Sequence, residues 1–499
     1  MKKEGSFFFE NYSETKDSVG HYYYDDAWFD ESSYQLNKKL RTMSLCFSMA
    51  SFPSADEKEE RPSVNAERLL SELSFSDIEV NDDFLKEPEV FSLGLIAAQK
   101  KIGSGKNAYS LIAMNFRGAS YGLEWKSNTL LGEKGIADGF EKTGEVAVSF
   151  LRNYIKKHKD KLSKRLKLWV SGYSRAAAFA EYVGVRVTED PDTFGLSPED
   201  IFVYPFESPM FFPEEKKGRF KNIHNTVNPK DLVPMLAPSV WGFSNAGVID
   251  TRIPNEGSAD YQRILPIVKE NLSKNGAPEI MEQLSGFTLH CIIGTDVKPF
   301  KELCFDPGDK RAFFEKALSF DQAAFLKAYM RFMASNLSAS AGVKGGPQTC
   351  RETYYSHFQE SFSFLSGAYL GAPLKRKLKI RQNLLELSKL LEIRAVKVKF
   401  YLNLRFLGER GRRYVEGEIL DAVIGRLTDD PDIALKKDEA EKLQKTARPL
   451  IHYFVYCASI DIRYYRFFFT GTFLNNILRV LAMHAPELTL SFVQALNEL

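Results

Sequence analysis

The sequence predicts an α/β protein, with a mostly parallel sheet that carries helices on both faces and a large helical cap insertion. Two observations predict this class. Residues 86–250 alternate short apolar runs with segments of helical spacing, as strand–helix–strand units do. Residues 255–460 carry apolar side chains at helical spacing, with no long strand-rich block. We therefore expect four segments: a helical N-terminal lead-in over 1–85, a sheet-containing core over 86–254, a mostly helical cap over 255–460, and C-terminal helices over 461–499.

The individual elements follow from apolar runs and turn residues. In the lead-in we expect helices over 34–51 and 66–73. In the core, residues 90–100 and 109–116 are predicted strands, because each is a short apolar run bounded by turn residues. Gly103-Ser104-Gly105 between them predicts a hairpin turn.

Composition and charge exclude several classes of protein. Of the 499 residues 44% are hydrophobic and 26% are charged, and the net charge of +2 does not indicate a nucleic-acid partner. The five cysteines form no Cys-x-x-Cys pair, which is typical of reduced thiols in a cytoplasmic protein. We expect neither a signal peptide nor a membrane-spanning helix, because no sufficiently long apolar run occurs. No metal or dinucleotide motif is present, so no cofactor is expected.

A strand-to-helix turn provides the clearest chemical signal. An apolar run leads into Gly172-Tyr173-Ser174-Arg175-Ala176, and small residues follow. A nucleophilic serine must sit on a tight turn of this kind, so that its oxygen projects clear of the backbone. Small residues two before and two after the serine, here Gly172 and Ala176, let the strand and the helix approach closely. Ser174 is therefore a predicted nucleophile for acyl transfer, and an ordinary strand–turn–helix crossing is the alternative.

Acyl transfer also needs two backbone N–H groups directed at the developing oxyanion. One is expected from Arg175, which follows the serine. The second is expected from Ala119, because the Gly118-Ala119 turn follows the predicted strand 109–116. A plain loop with a glycine is the alternative interpretation of that turn.

Five short motifs follow one another between about residues 90 and 250. They are Phe116-Arg117-Gly118, Asp138-Gly139-Phe140, Gly172-Tyr173-Ser174-Arg175-Ala176, Phe206-Glu207-Ser208-Pro209 and Asn228-Pro229-Lys230-Asp231-Leu232-Val233-Pro234. Together they resemble the class 3 lipases, a branch of the α/β-hydrolases, and most closely the lipase-like proteins of Gram-positive bacteria. The resemblance implies an α/β-hydrolase-like fold, in which these motifs supply the oxyanion turn, the nucleophile and the acid loop. Asp138 departs from the family's histidine, and Ala176 replaces a glycine found in many relatives.

Asp231 is the predicted acid of a Ser-Asp-His triad. It follows Ser174 in the chain order of α/β-hydrolases, far enough on for a helix, a strand and a loop between them. It also precedes Val-Pro at the end of an alternating apolar stretch, where an orienting carboxylate belongs. An ordinary Asn-Pro-Lys-Asp turn is the alternative.

His484 is the predicted base, because it lies between one helical segment and an Ala-Pro-Glu string that opens another. The related Gram-positive sequences carry a similar His-x-Pro-Glu string near the C-terminus. His290 is the alternative, since its distance past Asp231 is about that of the base in class 3 lipases, although its apolar surroundings are typical of a core histidine. The choice of His484 leaves the whole helical insertion between acid and base.

These residues predict a serine-dependent acyl hydrolase that cleaves carboxylic esters, with a small-molecule or lipid ester as substrate. Transient contact with a membrane surface fits such a substrate, and the helical insertion would form a cap over the catalytic edge of the sheet. A thioesterase, a peptidase or an acyltransferase on the same fold is one set of alternatives. A catalytically silent hydrolase fold used for binding is another.

Overall fold

The computed structural model describes most of the chain. The described residues are 1–11, 16–54, 63–118, 122–254, 258–281, 322–460, 465 and 483–498. They divide into two units. The first unit comprises residues 1–119, 135–282 and 482–499, and the second comprises residues 120–134 and 283–481.

Eleven strands are present among the described residues, all of them in the first unit. In chain order they are β1 (Lys2–Glu10), β2 (Asp17–Asp25), β3 (Ser76–Asn81), β4 (Leu95–Ile102), β5 (Tyr109–Phe116), β6 (Leu166–Tyr173), β7 (Ile201–Phe206), β8 (Phe212–Pro213), β9 (Phe220–Val227), β10 (Phe243–Ser244) and β11 (Gly247–Arg252).

Fifteen α-helices are described over the two units. They are α1 (Lys38–Met49), α2 (Val64–Glu72), α3 (Gly122–Ser127), α4 (Asp138–Lys157), α5 (Arg175–Glu189), α6 (Pro191–Phe194), α7 (Ala259–Lys274), α8 (Gln322–Ser340), α9 (Pro347–Thr353), α10 (Gln359–Leu370), α11 (Leu374–Leu391), α12 (Arg394–Phe406), α13 (Gly408–Asp429), α14 (Lys437–Ile460) and α15 (Pro486–Leu496). None of them is both long and apolar enough to span a bilayer.

A seven-stranded sheet organises the first unit. Its strand order is β11-β9-β7-β6-β5-β4-β3. The four pairings from β5 to β11 are parallel, whereas β3, β4 and β5 pair antiparallel. The prediction of a mostly parallel sheet is therefore confirmed. Because the carboxyl ends of parallel strands meet at one edge, the residues that follow β6, β7 and β9 lie near one another.

Both faces of this sheet are covered. Trp169 on β6 is fully buried, its ring centre lies 4.7 Å from that of Phe47 on α1, and its Nε1 donates to Ser44 Oγ at 2.8 Å. Alternate residues of a strand point to opposite faces, and Val203 on β7 packs closely on Gly184 of α5. Helix α1 therefore covers one face of the sheet and helix α5 covers the other.

The N-terminal lead-in differs from its prediction. Helices α1 and α2 lie where the sequence indicates them, but residues 1–85 also form the β1–β2 hairpin and the edge strand β3. In β2 the buried side chains alternate with more exposed ones, a period of two that identifies a half-buried strand. The lead-in is thus a mixed part of the first unit rather than a helical segment.

The boundaries of the helical insertion also differ from those expected. Helix α7 belongs to the first unit, where Tyr261 packs on Phe492 of α15 and Asn275 Nδ2 donates to Ser491 Oγ at 3.1 Å. Residues 120–134 belong to the second unit. There the buried Arg351 of α9 donates to the carbonyl oxygens of Leu131, Gly132 and Lys134. These contacts are long-range, which is why local patterns did not predict them.

Candidate active site

Ser174 lies on the sharp turn between β6 and α5. Its backbone has φ 60° and ψ −128°, a conformation that residues other than glycine rarely adopt. Two hydrogen bonds hold the turn: Ser174 N donates to the carbonyl of Phe206 at 2.9 Å, and Ala177 N donates to the carbonyl of Ser174 at 2.9 Å. The strained turn lifts the serine hydroxyl away from the strand, and Ser174 keeps partial exposure to solvent.

Gly172 allows the strand and the helix to cross at this turn. A Cβ added at Gly172 would lie 2.2 Å from the carbonyl oxygen of Ala176, and backbone cannot move aside cheaply. Ala176 is itself buried at the crossing. The two small positions that the sequence singled out therefore meet at the point of closest approach between β6 and α5.

Three of the predicted site residues form one hydrogen-bonded chain. His484 Nε2 lies 2.7 Å from Ser174 Oγ, and His484 Nδ1 forms a hydrogen bond with Asp231 Oδ2. Asp231 is 1% exposed, and its second oxygen accepts the backbone N–H of Val233 at 2.9 Å. Since the ionised carboxylate can only accept, Nδ1 carries the proton and Nε2 is left to accept the serine hydroxyl.

The backbone around His484 is held in place by two side chains. Asn228 Nδ2 donates to the carbonyl of Met483 at 3.1 Å, and the Tyr173 hydroxyl donates to the carbonyl of His484 at 3.0 Å. The ring centres of Tyr173 and His484 are 5.2 Å apart. Burial raises the pKa of Tyr173 well above its usual range, so this hydroxyl keeps its proton and remains a donor. Tyr173 thus supports the imidazole from the strand side.

Glu207 is a buried acid that lies beside the site, and the sequence analysis did not assign it to the site. It follows β7, is fully buried, and accepts the backbone N–H of Asn228 at 2.8 Å and the hydroxyl of Thr489 at 3.1 Å. Burial and then the charge of Asp231 raise the pKa of Glu207 well above its usual range. One carboxyl group therefore connects the acid loop to the helix that follows His484. Its position in the Phe-Glu-Ser-Pro motif was the only available signal.

A second buried acid, Glu181 on α5, stabilises the framework behind the turn. It accepts hydrogen bonds from Ser208 Oγ at 3.3 Å, Asn225 Nδ2 at 3.3 Å, Asn245 Nδ2 at 3.2 Å and the backbone N–H of Gly247 at 2.8 Å. Burial raises its pKa. Ser208 follows β7, Asn225 lies on β9, and Asn245 and Gly247 lie just before and at the start of β11, so Glu181 fixes α5 against that side of the sheet.

The predicted oxyanion residues are only partly described. Arg175 is the first residue of α5 and is buried, and its backbone lies at the positive end of the helix dipole. Ala119, the second predicted donor, and His290, the alternative base, lie outside the described residues. Within the described part of the chain, no group of three or more His, Cys, Asp or Glu side chains is arranged to hold a metal ion.

Comparison with known proteins gives few similarities. No protein-family model and no curated protein matches the chain. A fungal lipase solved in complex with an inhibitor is 16% identical, with 50% of this chain and 83% of that chain covered and a TM-score of 0.29. The lipase of Rhizopus microsporus var. chinensis is 14% identical over 44% of this chain and 72% of its own, with a TM-score of 0.30. Lipase II of Rhizopus niveus is 14% identical over 44% and 78%, with a TM-score of 0.28.

Proposed function

We propose that this protein is a serine acyl hydrolase that cleaves carboxylic esters, with Ser174 as nucleophile, His484 as base and Asp231 as orienting acid. One observation carries the proposal: His484 lies within hydrogen-bond distance of both Ser174 Oγ and Asp231. These residues are 310 and 253 positions from His484 in sequence, so a chance local motif does not account for their meeting. A serine, an imidazole and a carboxylate in this order form the apparatus of nucleophilic acyl transfer.

The chemistry follows from the direction of the hydrogen bonds. Ser174 Oγ attacks the ester carbonyl carbon while His484 Nε2 accepts the hydroxyl proton. The tetrahedral intermediate then breaks its bond to the alcohol oxygen, which receives that proton from His484, and the acyl group remains on Ser174. Water attacks the acyl-enzyme with His484 again as base, and the carboxylic acid leaves. Asp231 stabilises the imidazolium in both halves and keeps the proton on Nδ1.

The oxyanion of each tetrahedral intermediate needs donors that are already in position. The backbone N–H groups of Arg175 and Ala119 are the proposed donors. Loss of one such donor typically lowers kcat by about 10²-fold to 10³-fold. Arg175 suits this role because it directly follows the nucleophile at the start of α5.

An α/β-hydrolase-like fold related to the class 3 lipases is part of the same proposal. The seven-stranded sheet and the five ordered motifs support it. That motif resemblance favours a lipid-like ester. Thioesterase, peptidase and acyltransferase activities would use the same acyl-enzyme, so a panel of ester, thioester and amide substrates distinguishes them.

The test is labelling with a fluorophosphonate probe, which reacts with activated serines. Wild-type protein should be labelled, Ser174→Ala should not, and His484→Ala should be labelled far more slowly. Ser197→Ala, at an exposed serine of the first unit, is the matched control and should label like wild type. Labelling that survives in Ser174→Ala would refute the assigned nucleophile. Folded wild-type protein that resists the probe would favour a silent scaffold.

A further inference from the structure

Residues 374–414 of the second unit are strongly basic. This segment comprises α11, α12 and the start of α13, and it contains thirteen Lys or Arg residues but only three Asp or Glu residues. The whole chain has a net charge of only +2, so the remainder of the protein is acidic on balance. A concentration of one charge sign in 41 residues creates a local potential that the overall charge conceals.

The same segment exposes large apolar side chains. Among the described residues, twenty large hydrophobic side chains are exposed, and nine of them lie here. They are Leu378, Leu390, Ile393, Val398, Tyr401, Leu402, Phe406, Leu407 and Tyr414. The most exposed is Phe406, at 72%. Single exposed apolar residues are ordinary on a protein surface, whereas a cluster of this size indicates an interaction site.

Helix α12 has two different faces. Phe400 and Leu404 are buried and anchor the helix in its unit. On the exposed face, Val398 and Leu402 lie one turn apart and line an open groove of about 730 Å³, together with residues that include Arg394 and Lys399. The groove is therefore lined by both apolar and basic side chains.

Some of the basic side chains are already in ion pairs, and others are not. Lys399 pairs with Glu418 at 2.9 Å, and Lys379 pairs with Asp430 at 3.2 Å. Within the described part of the chain, Arg394, Arg405 and Arg410 form no ion pair, and all three are exposed. Their charges are available to an anionic partner.

We propose that the exposed face of α11 and α12 docks onto an anionic phospholipid membrane surface. We name this face the α11–α12 surface and define it by Leu390, Ile393, Arg394, Val398, Tyr401, Leu402, Arg405, Phe406, Leu407 and Arg410. Apolar side chains that enter the boundary between headgroups and acyl chains, with Lys and Arg bound to anionic headgroups, are the basis of interfacial binding. The inference does not depend on the role of Ser174.

Two other occupants fit the surface less well. A second copy of the α11–α12 surface would bring two strongly positive patches together, which is unfavourable. A nucleic acid would match the positive charge, but it would leave exposed aliphatic side chains such as Val398, Leu402 and Leu407 without an apolar partner. A membrane satisfies both properties of the surface at once.

The test is co-sedimentation of the full chain with phosphatidylcholine vesicles, with and without phosphatidylserine. Wild-type protein should bind the phosphatidylserine vesicles at low ionic strength, and high salt should weaken binding because surface charges are screened. Two variants address the two properties: Arg394→Glu/Arg405→Glu for charge, and Leu402→Ser/Phe406→Ser for apolar insertion. The charge variant should bind at least about tenfold more weakly, since each basic residue near the surface contributes severalfold in affinity.

The matched control is Lys217→Glu/Arg219→Glu, which makes the same charge change at exposed positions of the first unit and should bind like wild type. Circular dichroism checks that each variant is folded. Equal binding by wild type and both surface variants would overturn the proposal, as would equal binding to vesicles with and without phosphatidylserine. Self-association of wild type that the Leu402→Ser/Phe406→Ser variant abolishes, without vesicle binding, would identify a second copy as the occupant instead.

Discussion

The surroundings of His484 and the α11–α12 surface differ in the residue types that they use and in how far those side chains are buried. Around His484, the polar groups of Tyr173, Asn228 and Glu207 are buried, and each bonds a specific atom at a specific distance. On the α11–α12 surface, basic and apolar side chains are exposed to solvent. The first arrangement creates precision, because a buried polar group that loses its partner is costly. The second creates a collective attraction to which each residue adds a little.

This difference predicts unequal consequences of mutation. Single substitutions near the turn at Ser174 should produce large effects on activity or stability. Single substitutions on the α11–α12 surface should produce small and roughly additive effects. Four substitutions test that contrast, in order of decreasing expected effect.

The largest effect is expected from Ser174→Ala. Without the hydroxyl no acyl-enzyme can form, so ester turnover should fall by roughly 10⁴-fold or more. The free energy of unfolding should change little, because alanine at this position would adopt the same positive φ as Ser174 and would have a similar backbone strain. Steady-state hydrolysis and chemical denaturation measure the two quantities. Retained turnover would assign the chemistry to another residue.

Gly172→Ala should be the next most severe change. The added methyl group would lie 2.2 Å from the carbonyl oxygen of Ala176, so β6 and α5 would have to separate. We expect a loss of about 3 kcal/mol in the free energy of unfolding, at the upper end for overpacking, together with loss of activity. The control is Gly417→Ala on α13, where nothing lies within 4 Å of the added Cβ, and it should leave stability unchanged or slightly raised. Urea denaturation of both variants decides the prediction.

Glu207→Gln should change how stability depends on pH. The pKa of Glu207 is raised in the folded protein above its reference value of 4.5, so between these two values the folded state holds a proton that the unfolded state has released. The contribution of Glu207 to the free energy of unfolding should therefore decline as pH rises above 4.5. The glutamine side chain of the variant has no such proton, and it can still hydrogen bond to Thr489 and Asn228.

The Glu207→Gln variant should consequently gain stability relative to wild type as pH rises above the reference value of 4.5, by up to about 1.4 kcal/mol for each pH unit until the folded-state pKa is reached. Urea denaturation across that range measures the difference. Glu215→Gln, at an exposed glutamate, is the control and should show no pH-dependent difference. A constant difference between Glu207→Gln and wild type would mean that Glu207 is ionised in the folded state.

The smallest effect is expected from Arg405→Gln on the α11–α12 surface. One exposed charge near a membrane contributes about 1 kcal/mol, so affinity for phosphatidylserine vesicles should fall by about fivefold. Soluble-ester turnover should stay unchanged. Vesicle co-sedimentation at low salt measures the first quantity. A complete loss of binding from this single change would show that Arg405 occupies a specific site rather than a diffuse surface.

The parts that could be predicted from the sequence are those that local chemistry determines. Strand β5 has the bounds expected from its apolar run, and Gly172 and Ala176 occupy the close crossing that their small size indicated. The mostly parallel sheet followed from the alternation of strand and helix patterns. The roles of Ser174, Asp231 and His484 stay predictions, although the three side chains lie together as the motifs implied.

The parts that could not be predicted depend on long-range contacts. Glu207 lies at the end of an apolar strand, and nothing local shows that Thr489 would reach its carboxyl group from the far end of the chain. The β1–β2 hairpin was missed because Phe7-Phe8-Phe9 and Tyr22-Tyr23-Tyr24 are apolar on both faces and hide the period of two. The exposure of Phe406 and Leu407 could not be predicted either, since apolar residues at helical spacing predict burial.

Because His484 lies far along the chain, the site can assemble only after most of the chain has been synthesised. Ser174 and Asp231 leave the ribosome first, and 253 positions separate Asp231 from His484. At roughly 5–20 residues per second, the nascent chain carries a serine and an acid without their histidine for about 10–50 s. Leu490 and Val493, which follow His484 on α15, complete the same apolar core that contains Trp169. The segment that supplies the histidine therefore also supplies side chains to the core around Trp169, so the two emerge together during synthesis.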